Sequence, residues 1–306
     1  MKPKVIVIAG PTASGKTALS IELAKKINGE IISADSMQIY KDMNIGTAKV
    51  TEEEAEGIKH HLIDFVDPDQ RYTVSNFKND SEKVILDIIA RGKYPIVVGG
   101  TGLYIDSLIY GIEYQEMNFD EEYRNELMKI AETDIGLVSL YEEAKKIDKQ
   151  AMEKISNNDK KRIIRVLEIY HATGKNKTEQ ERLSRINGIK YDYRVFAISR
   201  DREKLYDRIN KRVDIMINQG LIEEVKNIYE KYSEFPTAMQ GLGYKEVVEH
   251  LNGNLSKEEM IDLIKKETRR YAKRQLTWFR KNKDIVWLDA EKGIQNNIDI
   301  ILEGIK

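Results

Sequence analysis

From its amino end the chain alternates between unbroken apolar runs and stretches with helical spacing. Lys4–Ala9 is a run of mostly β-branched residues, the pattern of a strand buried on both faces. Residues 18–28 then place Leu19, Ile21, Leu23, Ala24 and Ile27 at helical spacing, and Asn28-Gly29 is a helix stop. A second apolar run over residues 30–34 ends at Asp35. Residues 75–91 are helical again, with Phe77, Val84, Ile85, Ile88 and Ile89 on one face and Gly92 as the stop. A third buried strand over residues 95–98 closes in Gly99-Gly100-Thr101-Gly102. Strand and helix alternating at this spacing predict an α/β fold with a doubly wound parallel sheet.

The pattern changes at about Tyr114. Residues 114–190 are polar, helix-prone and free of strand signals, with Gly136 and Gly174 as breaks, and they read as a helical insertion domain. Strand character returns over residues 193–199. Helices are predicted over 203–218, 221–232 and 257–281, and a short strand over 285–288. The core is therefore expected from residues 1–113 and 191–306.

Composition narrows the class. The 306 residues are 41% hydrophobic and 33% charged, enough for a substantial core. No apolar run reaches the roughly 18 residues of a membrane span. The first residues are too short for a signal peptide and run straight into the first strand. With no cysteine, disulfides and thiolate metal sites are excluded. The expectation is a soluble, cytoplasmic monomer. A net charge of −1 argues weakly against a nucleic-acid partner, but its distribution argues otherwise. Between Lys154 and Arg185 nine Lys/Arg face four Asp/Glu, and between Lys265 and Lys283 nine face one. Each run alone reads equally as a solvated helix face; two in one chain favour a polyanionic partner.

The chemistry starts at Gly10-Pro11-Thr12-Ala13-Ser14-Gly15-Lys16-Thr17, which fits G-x-x-x-x-G-K-[ST] between a buried strand and a helix. Glycines let backbone N–H groups curl round phosphate oxygens, the helix adds its positive end, Lys16 neutralises charge, and the Thr17 hydroxyl can hold Mg²⁺. Such a loop signals a phosphoanhydride without specifying ATP. In NTPases of this kind a second apolar strand usually ends in an Asp. Here the strand before Gly99 ends without a carboxylate, and the acid stands after the second strand, at Asp35. The carboxyl edge of an open α/β sheet is where ligands bind, so Asp35 reads either as a site residue or as a turn Asp. His60-His61 lacks a third partner at ligand spacing and reads as structural.

Taken together, GPTASGKT (10–17), DSMQIY (35–40), NIGTAK (44–49), VGGTGLY (98–104), DKKRIIRVLE (159–168), DREKLYDRINKRV (201–213), GLGYKE (241–246) and TRRYAKRQLTWFR (268–280) resemble the tRNA dimethylallyltransferase family, also called tRNA isopentenyltransferases. The resemblance spans essentially the whole chain. It implies a P-loop, nucleoside-kinase-like core whose helical insertion grips the tRNA anticodon stem-loop. It implies transfer of dimethylallyl from dimethylallyl pyrophosphate to N6 of adenosine-37 in tRNAs reading codons that begin with U, with Mg²⁺ as cofactor. It assigns Asp35 as general base, with Thr12, Lys16 and Thr101 beside it, and the pyrophosphate to residues 10–17. An Arg of residues 201–213 would close over the pyrophosphate, with Arg202 and Arg208 as open alternatives. Contact with tRNA falls to Asp35, Ser36, Met37, Gln38, Thr101, Lys161, Arg162 and Arg165, and to Arg124 in a weakly matching stretch. Trp278 and Phe279 read as core. The rivals are a small-molecule P-loop kinase, a prenyltransferase acting on free adenosine nucleotides, and a non-catalytic RNA-binding protein. Intact Lys16, Thr17 and Asp35 oppose the last.

Overall fold

The computed structural model describes residues 2–113, 120–186 and 188–306. The chain divides into two compact units, one formed by Met1–Ile109 with Lys190–Lys306, the other by Tyr110–Ile189. The expected insertion start at Tyr114 lies outside the described residues.

The first unit runs through β1 (Lys4–Ala9), α1 (Lys16–Ile27), β2 (Gly29–Ser33), the one-turn α2 (Glu52–Ala55), β3 (His60–His61), α3 (Val74–Ala90), β4 (Tyr94–Gly99) and α4 (Gly102–Ile109). The second unit is helical among its described residues: α5 (Glu121–Ile130), α6 (Asp134–Ile147), α7 (Lys149–Met152), α8 (Lys160–Thr173) and α9 (Lys177–Leu183). The first unit resumes with β5 (Asp192–Ser199), α10 (Arg202–Asn218), α11 (Leu221–Lys231), α12 (Tyr244–Leu251), α13 (Lys257–Phe279), β6 (Val286–Asp289) and α14 (Ile294–Gly304).

Six strands form one sheet in the order β3-β2-β4-β1-β5-β6, and every pairing is parallel. Successive strand side chains point to opposite faces, which sorts the apolar runs into two cores. Val5, Val7, Ile32, Val97 and Ala197 pack with Phe77, Ile85 and Ile88 of α3 and with Tyr104, Ile105 and Leu108 of α4. Ile6, Ile8, Ile31, Ile96, Phe196 and Ile198 pack with Leu19, Leu23 and Ala24 of α1 and with Ile298 and Ile301 of α14. The fold is thus α/β, with helices on both faces of a parallel sheet, as the unbroken runs predict. Each buried Val or Ile contributes roughly 1.5–3 kcal/mol, so β1 is intolerant of polar substitution. A further apolar cluster joins Ile39, Tyr40 and Met43 to α11, α12 and the first half of α13. The helical unit has its own core, centred on Leu127, Leu140, Ala144, Ile163, Ile164 and Leu167.

Three readings need correction. Gly136 does not break the chain; it lies in the first turn of α6. A Cβ there would stand 2.0 Å from the Ile130 carbonyl oxygen, so close packing of α5 against α6 explains the glycine. Helix α1 ends with Asn28 in the left-handed conformation (φ 54), while Gly29 already belongs to β2. Finally, α2, β3, α4, α12 and α14 went unpredicted. Two histidines carry no strand signal, and β3 exists only through its pairing with Ile31 and Ile32 of β2.

Candidate functional site

Three segments leave the carboxyl edge of neighbouring strands: residues 10–15 after β1, residues 34–40 after β2, and residues 100–101 after β4. Parallel pairing of these strands places the three segments side by side, and α10 and α13 bring side chains against them.

The segment after β1 is a tight curl. Gly10 (φ 149) and Gly15 (φ 103) adopt backbone that side chains resist, and Ala13 joins them at φ 60. Lys16 Nζ donates to the Gly10 and Pro11 carbonyls at 3.0 and 2.7 Å, so the loop wraps its own ammonium. Burial pushes Lys16 down to about 8, opposed by the Asp35 carboxylate and reinforced by Arg212. Arg208 Nε donates to the Ala13 carbonyl at 2.9 Å, and Arg212 Nη1 to Thr12 Oγ1 at 3.3 Å. Arg212 is also lowered, first by burial, while Asp35 holds it up. Arg202, at the start of α10, lies over the Tyr206 ring instead. Among the described residues, two buried donors at the loop have no partner: Ser14 Oγ within it and Arg200 Nε beside it. Unmet donors around a basic, glycine-bearing loop at a helix amino end suit a multiply charged oxyanion.

Asp35 follows β2 after Ala34 alone. Its Oδ1 accepts from the Met37 N–H at 2.9 Å, a local turn that fixes the carboxyl group. Thr101 Oγ1 accepts from the Ser36 N–H at 3.0 Å, and its hydroxyl donates to Ser36 Oγ at 3.3 Å. The two segments approach so closely that a Cβ on Gly99 would stand 2.1 Å from the Ala34 carbonyl oxygen. From α13, Tyr271 lies beside Thr101 and Gln275, and the pKa of its hydroxyl is raised by burial and then by the Asp35 charge. The Gln38 amide turns inward: Ser33 Oγ donates to its Oε1, and its Nε2 donates to the Thr47 and Ala48 carbonyls. Met37 packs against the cluster that includes α12.

Residues 44–48 form a turn held by a distant carboxylate. Glu224 of α11 accepts the N–H groups of Asn44, Ile45 and Gly46 at 2.9, 2.7 and 3.0 Å, and the Tyr244 hydroxyl at 2.6 Å. A cleft of about 650 Å³ opens beside this turn, lined in part by Asp42, Glu223 and Glu224; its carboxylates make it a poor diphosphate site.

In the helical unit, the other expected cations sit on α5 and α8. Arg124 and Arg165 both pair with the buried Glu168, at 2.9 and 3.7 Å, and Arg162 with Asp159 at 3.2 Å. Lys161 is exposed.

Sequence reasoning missed Arg212, Tyr271, Gln275 and Glu224. Arg212 was legible in principle: it stands at i+4 from Arg208, on the same face of α10. Nothing local marks Glu224, whose main-chain partners at residues 44–46 lie some 180 positions away.

Comparison with known proteins gives a consistent picture. The profile described as IPP transferase matches residues 38–282. A tRNA dimethylallyltransferase of Acetivibrio thermocellus is 52% identical over 289 residues, covering 94% of this chain and 92% of the relative. Among solved structures, a full-length tRNA isopentenylpyrophosphate transferase from Bacillus halodurans is 41% identical, with a TM-score of 0.74, over 99% of this chain and 97% of that one. A eukaryotic dimethylallyltransferase acting on tRNA is 36% identical, with a TM-score of 0.76, over 94% of this chain and 74% of its own.

Proposed function

The chain belongs to the IPP transferase family, and from that premise we infer that it transfers a dimethylallyl group from dimethylallyl pyrophosphate to N6 of adenosine-37 of tRNA, releasing pyrophosphate. One observation carries the assignment of residues. The loop after β1, with Lys16 on its carbonyls and Arg212 on Thr12, and the turn after β2 that fixes the Asp35 carboxyl group leave the same carboxyl edge of one parallel sheet, so an acid and a cationic oxyanion site share that edge.

Residues 10–17 are read as a P-loop and the core as nucleoside-kinase-like. The exocyclic amine of adenine is a weak nucleophile because its lone pair is delocalised into the ring. As N6 bonds to the allylic carbon, the carbon–oxygen bond to pyrophosphate breaks and its electron pair leaves with the phosphate. Asp35 takes the N6 proton as general base. Lys16, Arg208, Arg212 and the N–H groups of residues 13–16 stabilise the charge that grows on the leaving group. Thr12, Ser14, Gly15 and the backbone of Gly10 and Pro11 complete that cradle. Thr101, tied to Ser36, holds the acceptor side, with Ser36, Met37 and Gln38 around the extruded base.

No group of three or more Asp, Glu, His or Cys among the described residues is arranged to hold a metal. Magnesium typically relies on few protein oxygens plus substrate phosphates, and the exposed Thr17 hydroxyl at the amino end of α1 fits that role. Bound there, Mg²⁺ supplies charge neutralisation on the departing pyrophosphate. Residues 114–190 are read as the insertion that meets the anticodon stem-loop, with Lys161, Arg162, Arg165 and Arg124 toward phosphates, which set register without reading sequence. Among the described residues no helix is long and apolar enough to cross a membrane. A cytoplasmic monomer acting on tRNAs that read codons beginning with U completes the proposal.

The test is incubation with Mg²⁺, dimethylallyl pyrophosphate and unmodified tRNA bearing adenosine at position 37, followed by digestion and mass spectrometry. N6-dimethylallyl adenosine on tRNA, and none on free AMP, is expected. Prenylated AMP without tRNA product would move the chain to nucleotide prenylation, and ATP turnover without prenyl transfer to the kinases.

A further inference from the structure

The last turns of α13 present Tyr271, Gln275 and Trp278 at i, i+4 and i+7, one face of a helix. Each residue meets a different part of the site. Tyr271 reaches Thr101. Trp278 Nε1 donates to Asp106 Oδ2 at 3.0 Å, and its ring fills the space over Gly102, where a Cβ would stand 2.4 Å from the indole Cδ1. Between them the Gln275 amide is buried and uses both of its ends. Its Oε1 accepts from the Thr12 N–H at 3.0 Å, and its Nε2 donates to the Gly100 carbonyl at 2.9 Å. Thr12 belongs to the loop after β1, and Gly100 precedes Thr101 after β4. A Cβ on Gly100 would stand 2.2 Å from Gln275 Nε2, so the glycine makes room for this amide.

We propose that Gln275 is a positioning residue for the transfer reaction, one buried amide that sets the spacing between the loop cradling the leaving group and the turn carrying Thr101. The proposal rests on the reading of this site as a prenyl-transfer site. Both ends of the Gln275 amide are taken by main-chain groups, so its effect is exerted through them. Its effect follows from the steep dependence of such reactions on geometry, where a displacement on the order of 1 Å costs about 100-fold in rate. A main-chain N–H and a main-chain carbonyl tied to one planar amide cannot drift apart independently.

The experiment measures single-turnover transfer at saturating donor and tRNA, together with the Kd for tRNA, per folded molecule. Gln275→Met removes both hydrogen bonds at nearly constant volume. Gln275→Glu keeps the acceptor for Thr12 and sets a carboxylate against the Gly100 carbonyl. Both are expected to slow transfer at least tenfold while the tRNA Kd stays within twofold. Gly100→Ala, which displaces the same amide from the other side, should slow it comparably. The double variant of Gln275→Met and Gly100→Ala should be no slower than the worse single change, because the link is broken only once. A rate within twofold of the unmodified protein in a folded Gln275 variant would overturn the proposal, as would losses that multiply in the double variant. Should neither Gln275 variant fold, Gly100→Ala decides: a rate within twofold overturns, a tenfold loss supports. Absence of product with the unmodified protein would instead remove the activity assignment itself.

Discussion

Lys16 shows how a single residue is tuned. The loop carbonyls of Gly10 and Pro11 take two of its hydrogens, and burial lowers its pKa to about 8. The ammonium is charged below that value and neutral above it, and the donor's pyrophosphate needs the charge. The kcat/KM for dimethylallyl pyrophosphate, which reports the free enzyme, should therefore fall as pH rises through about 8. A flat profile from pH 7 to 9 would contradict this assignment. Asp35 as base makes a different prediction. Asp35→Asn should retain tRNA affinity and lose single-turnover rate by a factor of about 100 or more. The arginines of α10 separate by environment: Arg212 is half-buried against Thr12, whereas Arg202 lies exposed over Tyr206. Arg212→Ala should raise the donor KM at least tenfold and Arg202→Ala should leave it within twofold, as read by steady-state kinetics. The sequence left Arg202 and Arg208 as alternatives because both fit a cationic helix; which face of α10 meets the loop is a packing decision.

At the scale of elements, the polar segment over residues 44–49 carries no helix or strand pattern, and its order comes from α11 and α12. Glu224 replaces the missing secondary-structure partners of three successive N–H groups, and the Tyr244 ring occupies the space that a Gly46 side chain would need. The ordered turn in turn offers the Thr47 and Ala48 carbonyls to Gln38. Glu224→Ala should cost about 1–3 kcal/mol, the typical penalty for donors left without an acceptor. Denaturant unfolding would measure it, and faster hydrogen exchange at Asn44, Ile45 and Gly46 would locate it.

Across the whole sheet, stability and chemistry occupy opposite edges. The site gathers at the carboxyl ends of the strands. At the amino end of β2, the buried Glu30 receives Arg91 through two hydrogen bonds, Lys93 at 2.7 Å and His61 at 2.7 Å, joining β2 to β3, β4 and the end of α3. The Arg91 hydrogen bonds above all, with Lys93 and His61, hold the Glu30 carboxyl far below its ordinary value of 4.5. A depressed carboxylate stabilises the fold fully above its unfolded value, and that contribution fades as pH falls below it. Stability should thus drop below about pH 4.5, and Glu30→Gln should flatten that dependence. The same variant should lose about 3 kcal/mol near neutrality, because cations grouped round a buried partner are left without it, yet keep the kcat and KM of the folded protein. Equilibrium unfolding across pH, paired with kinetics, tests both halves.

The sequence by itself determined the parallel α/β core, through unbroken β-branched runs that must be buried on both faces, and the curl after β1, through glycines and a lysine at fixed spacing. It also placed Asp35 at a strand end, which in a parallel sheet is the ligand edge. These are local consequences of side-chain shape and backbone freedom. Only the tertiary structure decided that Arg212 joins Arg208 at the loop, that Gln275 ties Thr12 to Gly100, that Glu224 holds the turn at residues 44–46, and that two histidines become a strand. Each of those depends on groups far apart in the chain meeting within about 3 Å, and no local pattern encodes which distant partner a polar side chain will find.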